Sequence, residues 1–434
     1  MNKKLILKLL ITVFLLSVNL FFINSHGTGD VDNWLKIIDK INTTSISGLF
    51  PGCLEYDCGV FYPLTYPPGH FMIIYLIAKI IPASVFGTLF SFKLSILFFY
   101  FLGLFSVFIF IKSFINNPLR QSRTFVDILL IYLSSLSLIY NTSVLGYTDI
   151  YILPFLVMSI LFLFNNKYIL SGLFFSVSAL IKWQPLIILP LFLFSFLSRS
   201  ERLKNIFLFT LGLIIPLFSL AIINPRIFIS IRLSLSQGVW NNIFLSAALN
   251  LPWITGEILS VYLPQNLVNR YASGYNYINI PPESVYTPLL LFPKLVFLAV
   301  YLLILNKFRK SISTGPPNQI NSAYVYLFLQ NAVFVFLSYF VLSSGVHENH
   351  LISALFLSVI LYALYPSKIS VSLWLFLEIY NFSNMFLFYG ISGNSLIPNN
   401  SFGVNPALIL SIIFTICYIV FIRIFFTRNT DYLK

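Results

Sequence analysis

Three short stretches of this sequence carry residue types that could do chemistry. Gly29-Asp30-Val31-Asp32 follows directly on the first apolar run. A carboxylate at the mouth of a helix bundle can take a proton from a hydroxyl. The same acid, ahead of the helical-looking run Trp34–Ile41, can equally be a solvated N-cap. Lys182-Trp183-Gln184-Pro185 places a cation between two apolar runs with no acid nearby in sequence. A phosphate oxygen is a natural partner for such a point charge. His347-Glu348-Asn349-His350 sets three ionisable groups at the junction of two apolar runs. Ionisable groups near lipid are costly and default to a functional reading; a hydrated helix junction is the alternative. His347 and His350 stand at i, i+3 and can share a face. They lack the i, i+4 spacing and the third ligand of a zinc helix, so no metal site is expected. Asp149 opens another apolar run, where it can serve as an N-terminal helix charge. Glu378 lies inside one, where an interhelical hydrogen bond is expected.

These residues need a scaffold, and composition says which kind. The chain has 434 residues, of which 58% are hydrophobic and 9% charged, against roughly 25% charged in soluble proteins. Thirteen acids and 26 bases cannot solvate a soluble surface of this size. A soluble enzyme, a disordered chain and a nucleic-acid binder are excluded. The formal charge of +13 reads as the cytoplasmic Lys/Arg excess of a membrane protein.

The sequence predicts an all-α polytopic membrane protein with about twelve transmembrane helices. The apolar runs lie near 5–24, 93–115, 125–142, 148–165, 168–182, 185–198, 205–223, 288–306, 323–345, 350–365, 369–388 and 406–427. The first run is too long for a signal peptide and lacks a small-residue cleavage site. With both termini cytoplasmic, every short inside loop carries a base, among them Lys167, Arg199, Lys307 and Lys368, as the charge rule requires. Only 31 residues lie between Lys167 and Arg199. Each arm is then about 22 Å of helix, short of a ~30 Å hydrocarbon core. Pro185 disfavours helix at Gln184. The segment is expected to be a short helical hairpin whose broken apex lines a polar cavity.

Two outer segments are too long for turns. Residues 25–92 hold five of the thirteen acids, and within them Tyr66-Pro67-Pro68 precedes an apolar run, Gly69–Ile81, that is too short to span and reads as interfacial or re-entrant. Cys53 and Cys58 in this loop are near enough in sequence for a local disulfide. Residues 224–287 form the second long loop. Such loops are usually functional, so the working face is expected to be the outer one. The whole of 1–434 reads as one domain. No matched pair of broken segments marks an inverted-repeat transporter.

The order of these pieces resembles the GT-C superfamily of polytopic glycosyltransferases. The nearest likeness is to prokaryotic relatives of the second mannosyltransferase of GPI-anchor assembly. The pieces are Gly29-Asp30, Tyr66-Pro67-Pro68, Gly146-x-x-Asp149, Lys182-x-Gln184-Pro185, Asn250-Leu251-x-Trp253 and His347-Glu348-x-His350. They run over 29–350, about three quarters of the chain. Relatives often carry Gly-Gln-x-Asp and Met-His-Glu-Arg where this chain has Gly-Tyr-Thr-Asp and Val-His-Glu-Asn.

The resemblance implies a GT-C-like helix arrangement with interfacial helices in the outer loops. It implies an inverting hexosyltransferase of the cell membrane, mannose being the first candidate sugar. The donor would be a polyprenyl-phosphate-linked sugar acting as co-substrate, and the acceptor a lipid, glycan or protein. Besides membrane lipids no further partner is expected, and no nucleic acid. No cofactor is implied, although some members of the superfamily need a divalent metal. Asp30 would be the base, with Asp32 as alternative. Lys182, Gln184, His347, Glu348 and His350 would hold the donor's phosphate or sugar. Tyr66, Pro67, Asp149, Asn250 and Trp253 would line the substrate cavity. A lipid-linked sugar flippase or secondary transporter is the rival reading, and predicts ionisable residues near the midplane. A non-catalytic assembly subunit is a third.

Overall fold

The computed structural model describes residues 3–43, 66–114, 125–239, 242–270, 275–281, 283–313, 322–391, 393 and 405–427. Cys53 and Cys58 lie outside them. Tertiary contacts divide the chain into two compact units, Met1–Trp240 and Asn241–Lys434.

The first unit contains α1 (Lys3–Phe21), α2 (Gly29–Thr43), α3 (Pro68–Ile80), α4 (Ala83–Phe86), α5 (Thr88–Phe114), α6 (Phe125–Leu133), α7 (Leu136–Ile139), α8 (Ile152–Phe164), α9 (Tyr168–Ile181), α10 (Leu189–Leu197), α11 (Arg202–Ile223) and α12 (Ile227–Val239). The second contains β1 (Ile243–Leu245), α13 (Leu251–Leu259), β2 (Val268–Arg270), β3 (Asn276–Asn279), α14 (Thr287–Ser313), α15 (Ser322–Leu342), α16 (Ile352–Leu364), α17 (Lys368–Tyr389) and α18 (Pro406–Thr427).

The protein is a helical, multi-pass membrane protein. All twelve apolar runs are helical. Among the described residues, seven helices are long and apolar enough to cross a membrane: α1 with its 3-10 extension to Asn24, α5, α11, α14, α15, α17 and α18. One further helix pair, Val126–Leu133 with Leu136–Val144, is apolar enough when taken together and is bent by 62° at its break. Ser135 caps the new segment, accepting from Leu138 N at 3.3 Å. The other four runs, Thr148–Phe164, Tyr168–Ile181, Gln184–Leu197 and Glu348–Leu364, are helices of 10–17 residues, or about 15–25 Å. Burial separates inner from outer helices. In α15, 83% of the apolar window is buried, against 11% in α11, whose bare Leu and Ile face suits contact with lipid tails.

Helix ends that the charge pattern assigns to one side are found together. Lys8 of α1 pairs with Asp127 at the start of α6, 2.5 Å. Arg199 donates to Asn166 Oδ1 and to the Tyr168 hydroxyl, both at 2.5 Å, so the α9–α10 hairpin begins and ends at the same level. In the second unit, Lys307 near the end of α14 donates to the Phe425 and Phe426 carbonyls of α18. Tyr365 donates to the Ser322 carbonyl.

Glycine sets the tightest packing in the first unit. A Cβ on Gly172 would stand 2.0 Å from the Phe209 carbonyl, and one on Gly212 2.1 Å from that of Ile169. These two residues let α9 and α11 meet backbone to backbone, as small residues do between membrane helices.

The expectation of purely helical structure needs one amendment. Residues 243–279 hold a small antiparallel sheet of order β1-β3-β2, with Val268 opposite Ile278 and Arg270 opposite Asn276. Its strands are three or four residues long, too short to leave an alternating pattern in the sequence.

Candidate functional site

Four of the ordered sequence pieces meet in the first unit. Their meeting begins with backbone. Gly27 (φ +82°) and Gly146 (φ +77°) both adopt the left-handed conformation, which costs little only without a side chain. A Cβ on Gly27 would stand 2.4 Å from the Leu145 carbonyl oxygen. That oxygen accepts from Thr28 N at 3.2 Å, and Val31 packs over Gly146. The start of α2 is thus fixed against the loop that leads to Asp149.

Below that loop lies Lys93, only 2% exposed. Its ammonium donates to the carbonyls of Ser143 at 3.0 Å and Val144 at 2.9 Å. These carbonyls belong to the π-helical turn Tyr140–Val144, where the ordinary helical pairing is broken and needs outside donors. Lys93 therefore braces the loop that holds both acids' neighbourhoods.

On α2 the buried face is Val31, Trp34, Ile37, Ile38 and Ile41. Asp30 shares that face, standing four residues before Trp34 and seven before Ile37, yet it is exposed because it opens the helix. Asp32 lies on the opposite face with Lys36 and Asp39, also exposed. Its carboxylate sits 3.2 Å from His26 Nε2. The two acids, equal in sequence, differ in direction.

Trp34 leads to the next piece. Its ring lies 4.9 Å from Tyr66 and 4.5 Å from His70. Tyr66 and His70 are 4.6 Å apart, and His70 is 5.8 Å from Tyr151. Pro67 is the N-cap of α3 and Pro68 its first residue, where a missing N–H costs nothing. Pro67 thus acts through the helix start. Gly69 allows close approach to α9: a Cβ there would meet the Leu180 carbonyl at 2.7 Å.

α9 ends at Ile181, and Lys182 turns to extended backbone ahead of a 3-10 turn, Gln184–Ile188. This is the expected broken apex. Lys182 Nζ donates to Asp149 Oδ1 at 2.6 Å, with the two side chains 14% and 1% exposed. The Tyr66 ring lies 5.7 Å from the same ammonium. Lys182 is thus paired with an acid 33 residues earlier in the chain, where the local sequence indicates only a helix-terminal charge. A buried carboxylate beside an ammonium is largely neutralised, so the pair draws an anion less than a lone lysine would.

His70 is 1% exposed. Burial, reinforced by the positive charge of Lys182, pushes its imidazole down to about 3. It is therefore neutral near pH 7. The Ile181 backbone, at the margin of hydrogen-bond reach, opposes that shift; neither ring nitrogen makes a hydrogen bond of ordinary geometry, and both amide atoms of Gln184 are buried without one.

The second unit holds the other pieces, and they are tied into its backbone. His347 caps a 3-10 turn, Glu348–Leu351, and His350 Nδ1 accepts from His347 N at 3.3 Å. That acceptor role places the neutral proton of His350 on Nε2. His347 Nδ1 shares a 2.9 Å hydrogen bond with Ser246 Oγ. Buried Glu348 accepts from the Tyr389 hydroxyl at 2.6 Å. Asn384 bridges the Glu348 carbonyl, 3.2 Å, and Leu249 N, 2.7 Å. Asn250 caps α13 through Trp253 N at 3.0 Å and donates to the Phe340 carbonyl at 3.0 Å. Trp253 is fully buried against Tyr275 and Phe388. Asn250 and Trp253, expected to line a cavity, are a capping residue and a core residue. Glu378 accepts from Trp374 of its own helix at 3.2 Å.

Trp34, His70, Lys93, Tyr151 and Gly27 belong to the first cluster without having been singled out in the sequence. Lys93 had a legible signal, a cation in an apolar run. Among the described residues no group of three His, Cys, Asp or Glu could hold a metal ion. No protein-family model matches the chain, and no curated protein is similar enough to it to count as a relative.

Proposed function

We propose that this protein is an integral-membrane inverting glycosyltransferase. It takes a hexose, mannose as first candidate, from a polyprenyl-phosphate-linked donor and passes it to a lipid, glycan or protein acceptor. The reading extends to twelve crossings in a GT-C-like arrangement, cytoplasmic termini and a site on the outer face of the cell membrane. The pairing of like-assigned helix ends supports that topology.

The observation that carries the proposal is the convergence around α2. A directed acid, Asp30, opens a helix whose same face bears Trp34, which packs edge-on against Tyr66 and tilted against His70; Tyr66 in turn lies over Lys182. An acid, aromatic rings and a polar hairpin apex are groups that sugar transfer from a lipid carrier can use. In the reaction the acceptor hydroxyl gives its proton to the Asp30 carboxylate. Its oxygen bonds to the anomeric carbon from the face opposite the phosphate. The bond from that carbon to the phosphate oxygen breaks, and the lipid phosphate leaves with the electron pair. The Lys182–Asp149 pair sits beside this centre. The His347–His350 corner carries no step.

Transfer of labelled hexose from a polyprenyl-phosphate donor by the purified full chain tests the proposal. Asp30→Asn is expected to lower the rate by about 10²–10⁴-fold, the usual loss for a general base, and Asp32→Asn by far less. Full transfer by both single variants and by the double variant would overturn the mechanism. Donor crossing vesicles without net transfer would favour the flippase instead.

A further inference from the structure

Buried polar groups are almost always hydrogen-bonded, and those that are not call for an explanation. In the first unit two such side chains flank Lys182: His70, close enough to feel its charge, and Gln184, two residues beyond it in the chain. His70 is enclosed by Trp34, Tyr66, Phe71 and Tyr151; the Ile181 backbone comes only to the margin of a hydrogen bond with it, and neither ring nitrogen has a partner of ordinary geometry. Gln184, two residues beyond Lys182, has both its amide oxygen and its amide nitrogen buried and unbonded. We infer that His70 and Gln184, flanked by the Lys182–Asp149 pair and the Tyr66 ring, form a subsite for the hydroxyl groups of a sugar, and not for its phosphate.

The choice between hydroxyls and phosphate follows from donor and acceptor character. A phosphate offers only acceptors and a negative charge, and selects sites made of donors and cations. Here the unbonded groups are mixed. A neutral imidazole gives one donor and one acceptor, and a primary amide gives both kinds. The acceptor nitrogen of His70 and the amide oxygen of Gln184 would repel a phosphate. A hydroxyl can donate to one group and accept from another, so adjacent hydroxyls on a ring match this set. The charges agree. Lys182 is engaged with Asp149 at 2.6 Å, and the pair presents no net charge. The ammonium has three N–H groups, and its remaining ones can serve a hydroxyl. Burial keeps His70 uncharged, which preserves its acceptor nitrogen. The Tyr66 ring offers an apolar face for the C–H side of a sugar ring.

Identifying the hydroxylated group as the transferred sugar rests on the transferase reading; the subsite's preference for hydroxyls over phosphate does not. The test is binding to the detergent-solubilised full chain by saturation-transfer NMR and calorimetry. The probes are methyl glycosides of mannose, glucose and galactose, and separately a sugar-free polyprenyl monophosphate. At least one methyl glycoside is expected to bind. Gln184→Leu should weaken that glycoside about tenfold, in line with the loss of a buried hydrogen-bonding partner. It should leave polyprenyl phosphate within about twofold. His70→Phe, similar in size and stacking, should act in the same direction; if it fails to fold, Gln184→Leu decides. Loss of polyprenyl phosphate affinity in place of glycoside affinity would make this a phosphate site and overturn the inference. So would unchanged binding of every probe, which is the result for side chains satisfied by water, and so would a wild-type chain that binds no glycoside. The two readings fail separately. A wild-type chain that binds glycoside in this pattern but transfers nothing refutes the transferase alone. A chain that transfers, with Gln184→Leu keeping the wild-type KM, refutes the subsite alone.

Discussion

The corner around His347 and the cluster around His70 use similar residues to opposite ends. At His347–His350 the acid and the first imidazole are engaged by neighbours: Ser246 on His347, Tyr389 on Glu348, with Asn384 fastening the backbone beneath. In the His70 cluster an imidazole and an amide are buried without a hydrogen bond of ordinary geometry, in the segment that also holds the Lys182–Asp149 ion pair. A satisfied network rigidifies a fold, whereas an unsatisfied one stores a demand that a ligand can meet. The stretch with the densest ionisable sequence is thus the better scaffold. The stretch with one inconspicuous histidine is the better binding site.

This contrast can be broken most sharply at the ion pair. Asp149→Asn leaves the Lys182 ammonium largely buried without its carboxylate, and about 3–5 kcal/mol of stability should be lost. Lys182→Met in the same chain should recover much of it. Chemical unfolding in mild detergent, read as a double-mutant cycle, measures both. Additive losses would mean that the two side chains are not a pair.

The glycines come next. Gly27→Ala forces a Cβ against the Leu145 carbonyl in a conformation that L-residues avoid, and should cost about 1–3 kcal/mol and disturb the seat of Asp30. Gly29→Ala, at a position with open space, should be close to neutral. Equal melting temperatures for the two variants would remove the proposed seating of α2.

On the satisfied side, Tyr389→Phe takes a hydrogen bond from buried Glu348 and should cost about 1.5–3 kcal/mol. Ser246→Ala should cost about 1 kcal/mol. Neither should change glycoside binding, which calorimetry can check. A large binding loss in either would move the ligand site to the second unit.

The last effect is read along pH, spread over several units. The His70 imidazole falls to about 3 in the folded chain from 6.5. Between those values the unfolded chain binds the extra proton, so stability drops as pH falls from about 6.5 toward 3. The slope is at most roughly 1.4 kcal/mol per pH unit. His70→Phe should flatten this component of the melting curve. The same slope in both proteins would mean that His70 takes up its proton equally in the folded and unfolded chain.

Much of this architecture follows from the sequence because hydrophobicity acts locally. A run of apolar residues must satisfy its own backbone in lipid, and helix is the solution. All twelve runs are helical for that reason, and the start of α3 after Pro67 and the break at Lys182 follow from proline stereochemistry. The charges of the short loops likewise sort helix ends that are found together. The site was legible only in pieces. Asp30, Tyr66, Asp149 and Lys182 stand out as residue types at helix ends, but no local pattern says that Asp149 takes Lys182, or that Asp30 and Asp32 face opposite ways relative to a packed helix. Those facts depend on contacts between residues far apart in the chain. Tertiary structure alone decided that Gly27, and not Gly29, is the constrained glycine. It also decided that Lys93 braces the loop before Asp149, and that His70 is enclosed without a hydrogen bond of ordinary geometry. Each is set by which backbone comes within a few ångströms of which side chain, a distance that exists only once the helices have packed.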